Sequence, residues 1–221
     1  MLNITTPYPY KEFKRKTVNG KRLYENPYGD PVPSVTTILS KTKDMTHLNA
    51  WKKRVGEKKA QEIVTEAANV GTVMHEILEA WSLNEEYTGK NLLQAKMMAE
   101  TVIKNVEADI DEVWGSEVNL CYPQLYAGTT DLVGIYKGRP TIMDFKQTNR
   151  PKKREWIDDY FMQAAAYGMA HNEIFETKIE HAAIFMCSRD CDWQLWEVGP
   201  EEFKQWTEKW AKRVEEFYNL S

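Results

Sequence analysis

The stretch that most constrains this chain is "GTTDLVGIYKGRPTIMDFKQTN", Gly128 to Asn149. Two runs rich in β-branched and apolar residues flank Lys137-Gly138, the pattern of two strands folded back on one another. An even-length connection centred between Lys137 and Gly138 places Asp131 directly opposite Asp144. Opposed residues share a face, with Cβ atoms about 5 Å apart. Alternation puts Ile142, Asp144 and Lys146 on one face of the second strand, and Thr141, Met143 and Phe145 on the other. Two carboxylates and an ammonium therefore converge inside segments otherwise suited to burial, where charge is costly unless paired, hydrogen-bonded or bound to metal. Two carboxylates that close repel unless something positive lies between them. Lys146 neutralises one charge, a divalent cation neutralises more, and Glu117 on the preceding strand supplies a third carboxylate. The hairpin leaves two readings open: a metal site, or a buried Asp144–Lys146 ion pair beside a hydrogen-bonded Asp131.

The surrounding pattern sets the fold class. "FKRKTVNGKRLYEN" reads as a hairpin with Asn19-Gly20 as its turn, followed by the Pro/Gly-rich link "NPYGDPVP". Ser34 is a candidate cap for a short helix through "SVTTILS". Helix-favouring residues run from His47 to Asn69 with an interruption at Gly56, and a second helix is expected over about Thr72 to Leu83. A third is expected from about Leu92 to Val113. After Gly115 the periodicity changes to strands, "SEVNLCYP", "LYAGTTDLVGIY" and "PTIMDFKQ". A helix from about Trp156 to Asn172 follows, then "IEHAAIFMCS" and "DWQLWEVG". Last comes an amphipathic helix from Pro200 to Tyr218 with Trp206 and Trp210 on its apolar side. The expected architecture is α/β with a helical N-terminal half: residues 1–33 a hairpin and linker, 34–114 a helical wall, 115–221 the α/β core, all one integrated domain.

Composition excludes several classes. The 221 residues are 42% hydrophobic and 28% charged with a net charge of −4, which is ordinary for a soluble protein. Net acidity does not bar a nucleic-acid partner, because local patches decide that. Two basic runs are present: Lys52, Lys53 and Arg54 with Lys58 and Lys59, and Arg150, Lys152, Lys153 and Arg154. Cys121, Cys187 and Cys191 have no zinc-type spacing and are too few for a four-thiolate iron–sulfur cluster, so no such cluster is expected. No apolar run approaches the roughly 20 residues of a membrane span, and "MLNITTPYPYKEFK" lacks signal-peptide and transit-peptide character. A cytoplasmic protein is expected.

Five short segments in order resemble the PD-(D/E)XK nuclease superfamily in its RecB-like exonuclease form. "AGTTDLVG" and "TIMDFK" match an acid preceding a D-x-K strand, and "GTVMHEILEAW" resembles the upstream G-T-x-x-H helix. "QAAAY" resembles the Q-x-x-x-Y helix that follows. "PSVTTIL" with "LNAWKKRVGEKKA", and the ending "QWTEKWAKRVEEFY", are similar to the branch of the mitochondrial genome maintenance exonuclease family and its phage relatives. The resemblance covers about Pro33 to Tyr218. The strand departs from many relatives in reading "DFKQT", where Gln147 displaces Thr148 by one.

The resemblance implies a restriction-endonuclease-like core and phosphodiester hydrolysis with one or two Mg²⁺ or Mn²⁺ ions. Asp131, Asp144 and Lys146 would be catalytic. Metal ligands would be His75, Asp131, Asp144, the Phe145 backbone carbonyl and Glu117. Gln163 and Tyr167 would support the lysine or a substrate phosphate. Arg150, Lys152, Lys153, Arg154 and the Lys52-Lys53-Arg54 run would contact DNA, although a charge run is by default a solvated face. His47, His171 and His181 carry no such pattern and read as structural. The implied substrate is DNA, single-stranded at its ends, in a phage or bacterial setting, with a recombination or replication protein as a candidate partner and no membrane. Two alternatives stand beside this one: a flap or junction endonuclease of the same fold, and a non-catalytic DNA-binding module. Loss of Asp131, Asp144 or Lys146 would mark the module, and all three are present.

Overall fold

The computed structural model describes residues 1–18 and 21–220; the expected Asn19-Gly20 turn lies outside the described residues. In chain order the elements begin with β1 (Arg15–Val18), β2 (Lys21–Tyr24) and β3 (Val32–Pro33). Helices α1 (Val35–Lys41), α2 (Thr46–Val55), α3 (Glu57–Ser82) and α4 (Leu93–Val106) follow. Then come β4 (Ile110–Tyr122), β5 (Tyr126–Tyr136), β6 (Arg139–Thr148), α5 (Asp158–Phe175), β7 (His181–Ser188), β8 (Trp193–Val198) and α6 (Pro200–Asn219). The five long strands form one sheet in the order β4-β5-β6-β7-β8. Only the β6–β7 pairing in it is parallel, reached through α5, so the sheet is mixed with helices on both faces. This is the expected α/β core, a mixed central sheet flanked by helices.

The hairpin at the centre follows the even-length register. Lys137 and Gly138 take φ angles of 49° and 73°, the left-handed pair that a two-residue hairpin turn needs. Pairing then runs from Tyr136↔Arg139 to Leu132↔Met143. Alternation sends Val133 and Ile142 into one core with Ile184, Ala165, Phe161 and Trp210, formed under α1, α5 and α6. Leu132, Met143 and Phe145 enter the other, with Met74, Leu78, Met98 and Val102 of α3 and α4.

Three boundaries differ from the sequence reading. The helix expected to stop near Asn69 and restart at Thr72 is one 26-residue helix, α3. A single Gly inside a helix costs only about 1 kcal/mol, which the burial of Val70, Val73, Met74 and Leu78 outweighs. The third helix ends at Val106, and β4 starts at Ile110, ahead of Gly115. The apolar residues Ile110 and Val113 continue the helical stripe in sequence, yet they bury just as well on a strand. Thirdly, the expected link after the first hairpin contains β3, which pairs with β2. Ser34 does cap α1, its hydroxyl accepting from the Thr37 amide at 3.0 Å. The N-terminal residues close the outer edge of β4: the Thr5 amide donates to the Val113 carbonyl at 3.0 Å, and the Val113 amide to the Asn3 carbonyl at 2.8 Å. Among the described residues no helix is long and apolar enough to cross a membrane.

Candidate active site

The sheet opens along one line. Ser116↔Leu132 and Val118↔Thr130 are paired, which leaves Glu117 facing Asp131, but that pair is missing from the ladder and Glu117 sits at φ 49°. A left-handed conformation costs a non-glycine residue about 1–2 kcal/mol, and strain of this kind collects at functional sites. On the other side of Asp131 the β5–β6 pairs stop at Leu132↔Met143. The Asp131 carboxylate takes over there, its Oδ2 accepting from the Phe145 amide at 2.7 Å. Backbone direction then matters. In a strand, the N–H and C=O of one residue point to the same side, so the Phe145 carbonyl faces the opening too.

Three elements bring the charges together. His75 comes from α3, and its Nδ1 lies 3.6 Å from Asp131 Oδ1 and 4.0 Å from Glu117 Oε1. One ligand atom from each of these residues falls within 4.8 Å of the others. Asp144, 1% exposed, holds its Oδ2 2.5 Å from Lys146 Nζ, an ion pair rather than a well-directed hydrogen bond, and its Oδ1 is buried without a hydrogen-bond partner. Lys146 also lies over the Tyr160 ring, 5.0 Å from its centroid. A cavity of about 760 Å³ spans the cluster, reaching His75, Glu117, Asp131, Lys146, Gln163 and Tyr167.

The electrostatics show an excess of negative charge. Burial pushes Glu117 up to about 8, helped by Asp131, Glu79 and Asp144. Burial likewise raises Asp144 to about 6 against the pull of Lys146, and raises Asp131. Burial, then Lys146, drives His75 down to about 4, so the imidazole is neutral and able to ligate. Burial alone would lower Lys146, but Asp144 and Asp131 outweigh it and hold the ammonium charged. A carboxyl that stays protonated beside two others, one orphaned carboxylate oxygen and a neutral imidazole fit a divalent cation bound through oxygen and one nitrogen.

Gln163 and Tyr167 share one face of α5, with Gln163 Nε2 donating to the Tyr167 hydroxyl at 3.4 Å. Tyr167 is buried and packs against Gly128, where a Cβ would come within 2.7 Å of its ring. The basic runs sit elsewhere: none of Arg150, Lys152, Lys153, Arg154, Lys52, Lys53 or Arg54 is among the residues lining the cavity. Arg154 is engaged by Glu202 and lies over the Phe161 ring, 4.5 Å from its centroid. Lys52, Lys53 and Arg54 lie in the last turn of α2, which buries no side chain. Sequence reasoning missed Arg15, Tyr24, Glu76 and Glu79, all of which line the cavity. Glu79 was legible, one helical turn from His75 on the same face. Arg15 and Tyr24 were not, since nothing local tells the first hairpin where to dock.

No family model matches the sequence. Among curated proteins the chain is similar to mitochondrial genome maintenance exonuclease 1 of Xenopus tropicalis, 25% identical over 210 residues that cover 82% of this chain and 60% of the relative. The human protein of that name is 26% identical over 204 residues, covering 84% and 58%. The chain is thus similar to exonucleases of this name over most of its own length. It spans about three fifths of the length of these curated relatives. A solved structure from Eubacterium rectale, titled as a candidate exonuclease, overlaps 68% of each chain with a TM-score of 0.45 and 13% identity.

Proposed function

We propose that this protein is a Mg²⁺- or Mn²⁺-dependent DNA exonuclease that hydrolyses phosphodiester bonds from single-stranded ends. The convergence of His75, Glu117, Asp131, Asp144 and Lys146 at the opened line of the sheet carries this reading, and the named relatives support the nuclease class. His75, Glu117, Asp131, Asp144 and the Phe145 carbonyl would hold the ion. When bound, such an ion polarises a phosphate and lowers the pKa of a coordinated water.

The chain's own residues supply the rest. Lys146 keeps its positive charge on the rim of the cavity, where it orients the attacking water and offsets the charge that develops on the phosphate. Asp144 fixes the lysine through the ion pair, and Tyr160 covers it from the side. Gln163 presents an amide at the cavity wall, steadied by Tyr167. Thr36 of α1 and the stretch of α3 from Ala67 to Glu79 flank the opening. A site bounded by helices admits a flexible strand more readily than a stiff duplex.

The test gives purified protein end-labelled single- and double-stranded linear DNA, and circular single-stranded DNA, with Mg²⁺, Mn²⁺ or EDTA. Stepwise degradation of the linear single strand, an uncut circle, and loss of activity in EDTA and in Asp144→Ala are expected. Cutting of the circle would replace the exonuclease reading with an endonuclease of the same fold. Equal activity in wild type and Asp144→Ala would remove the site assignment.

A further inference from the structure

The cavity has a second wall that the cluster above does not use. Its acids, Glu76, Glu79, Glu117 and Asp131, come from α3, β4 and β5. A phosphodiester entering beside them meets repulsion that Lys146, shared with Asp144, offsets only in part. Among the described residues the cavity's other cation is Arg15, which arrives from β1, far away in sequence.

Arg15 is held in place yet left with donors to spare. Its Nε donates to the Tyr24 hydroxyl at 2.9 Å, and its guanidinium carbon lies 5.1 Å from the Tyr24 ring centroid. These are its interactions among the described residues, so neither terminal amino group meets a carboxylate. Tyr24 is 3% exposed, and its hydroxyl also sits 3.4 Å from Thr129 Oγ1, two residues from Asp131 on β5. A bridge between Ser34 and Ala127 joins the same region to the start of β5. The first hairpin is thereby fastened to the strand that carries Asp131. A guanidinium whose Nε is tied down keeps two parallel N–H groups, the fork that matches two oxygens of a phosphate.

We propose that Arg15 is a phosphate-binding residue of this site, with Tyr24 as the residue that positions it, and that it grips a phosphate of the DNA strand beside the metal cluster. The assignment rests on the nuclease reading above. The phosphate has two sources, a terminal 5′-phosphate or an internal one in the backbone. The first hairpin then belongs to substrate recognition rather than serving only as a cover for the core.

Steady-state hydrolysis of single-stranded oligonucleotides carrying either a 5′-phosphate or a 5′-hydroxyl, at several salt concentrations with Mg²⁺, tests the assignment. Wild type, Arg15→Ala, Arg15→Lys and Tyr24→Phe are compared, with melting curves to establish that each is folded. Arg15→Ala is expected to raise KM roughly tenfold with kcat within about threefold, and to shrink the salt slope by about one. Arg15→Lys should recover part of KM, because the charge stays and the fork is lost. A penalty confined to the 5′-phosphorylated substrate identifies the terminal phosphate; an equal penalty on both identifies a backbone phosphate. Unchanged KM and salt slope in Arg15→Ala, with an active wild type, overturns the assignment alone. A wild type that degrades neither substrate overturns the nuclease reading and Arg15's role with it.

Discussion

The two ends of the β5–β6 hairpin are built from the same strands and do opposite things. Near the turn, Leu132 to Tyr136 pair in unbroken register with Arg139 to Met143, and the apolar side chains fill the cores on both faces. One residue further along, the ladder has stopped, a carboxylate replaces a backbone acceptor, and charges gather that burial alone would penalise. The difference shows where stability is made and where it is given up. One end specifies the fold, and the other leaves polar groups unsatisfied, which the proposed metal ion would satisfy.

Substitutions at the two ends should separate function from stability. Lys146→Met is expected to lower nuclease activity on the order of 10³-fold, about 4 kcal/mol in the barrier, by removing the charge that faces the phosphate. Its effect on urea melting should be small, because Asp144, already raised to about 6, can take up a proton when its partner goes. A large drop in stability would instead make Lys146 a structural counter-ion.

The turn end should respond the other way. A Cβ at Gly134 would sit 2.0 Å from the Glu112 carbonyl oxygen, beside the β-bulge between Val113 and Gly115, and backbone cannot step aside as a side chain can. Gly134→Ala should cost roughly 3 kcal/mol of stability, read from urea denaturation, while activity per folded molecule survives. Unchanged melting would mean that β4 relaxes around the bulge and that the regular end is less rigid than its register suggests.

Two histidines extend the comparison beyond the hairpin. His75 faces carboxylates, whereas His171 is fully buried among Tyr8, Trp114 and Phe175, with Nε2 2.9 Å from the Tyr10 hydroxyl and Nδ1 2.7 Å from Thr177 Oγ1. Burial lowers His171 to about 4 from the usual imidazole value of 6.5. The unfolded chain therefore takes up the proton first as pH falls. The neutral ring's contribution is complete above about 6.5 and drains away toward about 4. Glu117 has the opposite sign, since a carboxyl raised in the folded state contributes less as pH rises. Between pH 7.5 and pH 4.5 wild type should lose roughly 2–3 kcal/mol more than His171→Asn in paired urea melts. Parallel pH profiles would show that the ring is not held neutral by its aromatic surroundings.

The smallest effect is expected at Gly128, where an added Cβ meets the Tyr167 ring at 2.7 Å, a side chain that can tilt. Gly128→Ala should cost about 1 kcal/mol in stability and lower activity a fewfold through the displaced tyrosine and Gln163. A loss as large as that of Lys146→Met would place Tyr167 much nearer the chemistry than a supporting role allows.

Local signals carried much of this protein. The even-length turn at Lys137-Gly138 set the register that points Asp131 toward Asp144, and period-two alternation assigned Ile142 and Met143 to opposite cores. The order of strands and helices after Gly115, the Ser34 cap and the Trp206/Trp210 face were equally readable, because each depends on neighbours within a turn or two. The fusion of α3 through Gly71 was not, since tertiary burial outbid a glycine's helix penalty. Nor was the start of β4 at Ile110, where an apolar stripe suits either period. Only the tertiary structure brought His75 to Asp131, exposed the missing Glu117–Asp131 pair, and placed Arg15 of the first hairpin in the cavity. Those contacts join residues far apart in sequence, and no local propensity encodes the packing that closes such distances.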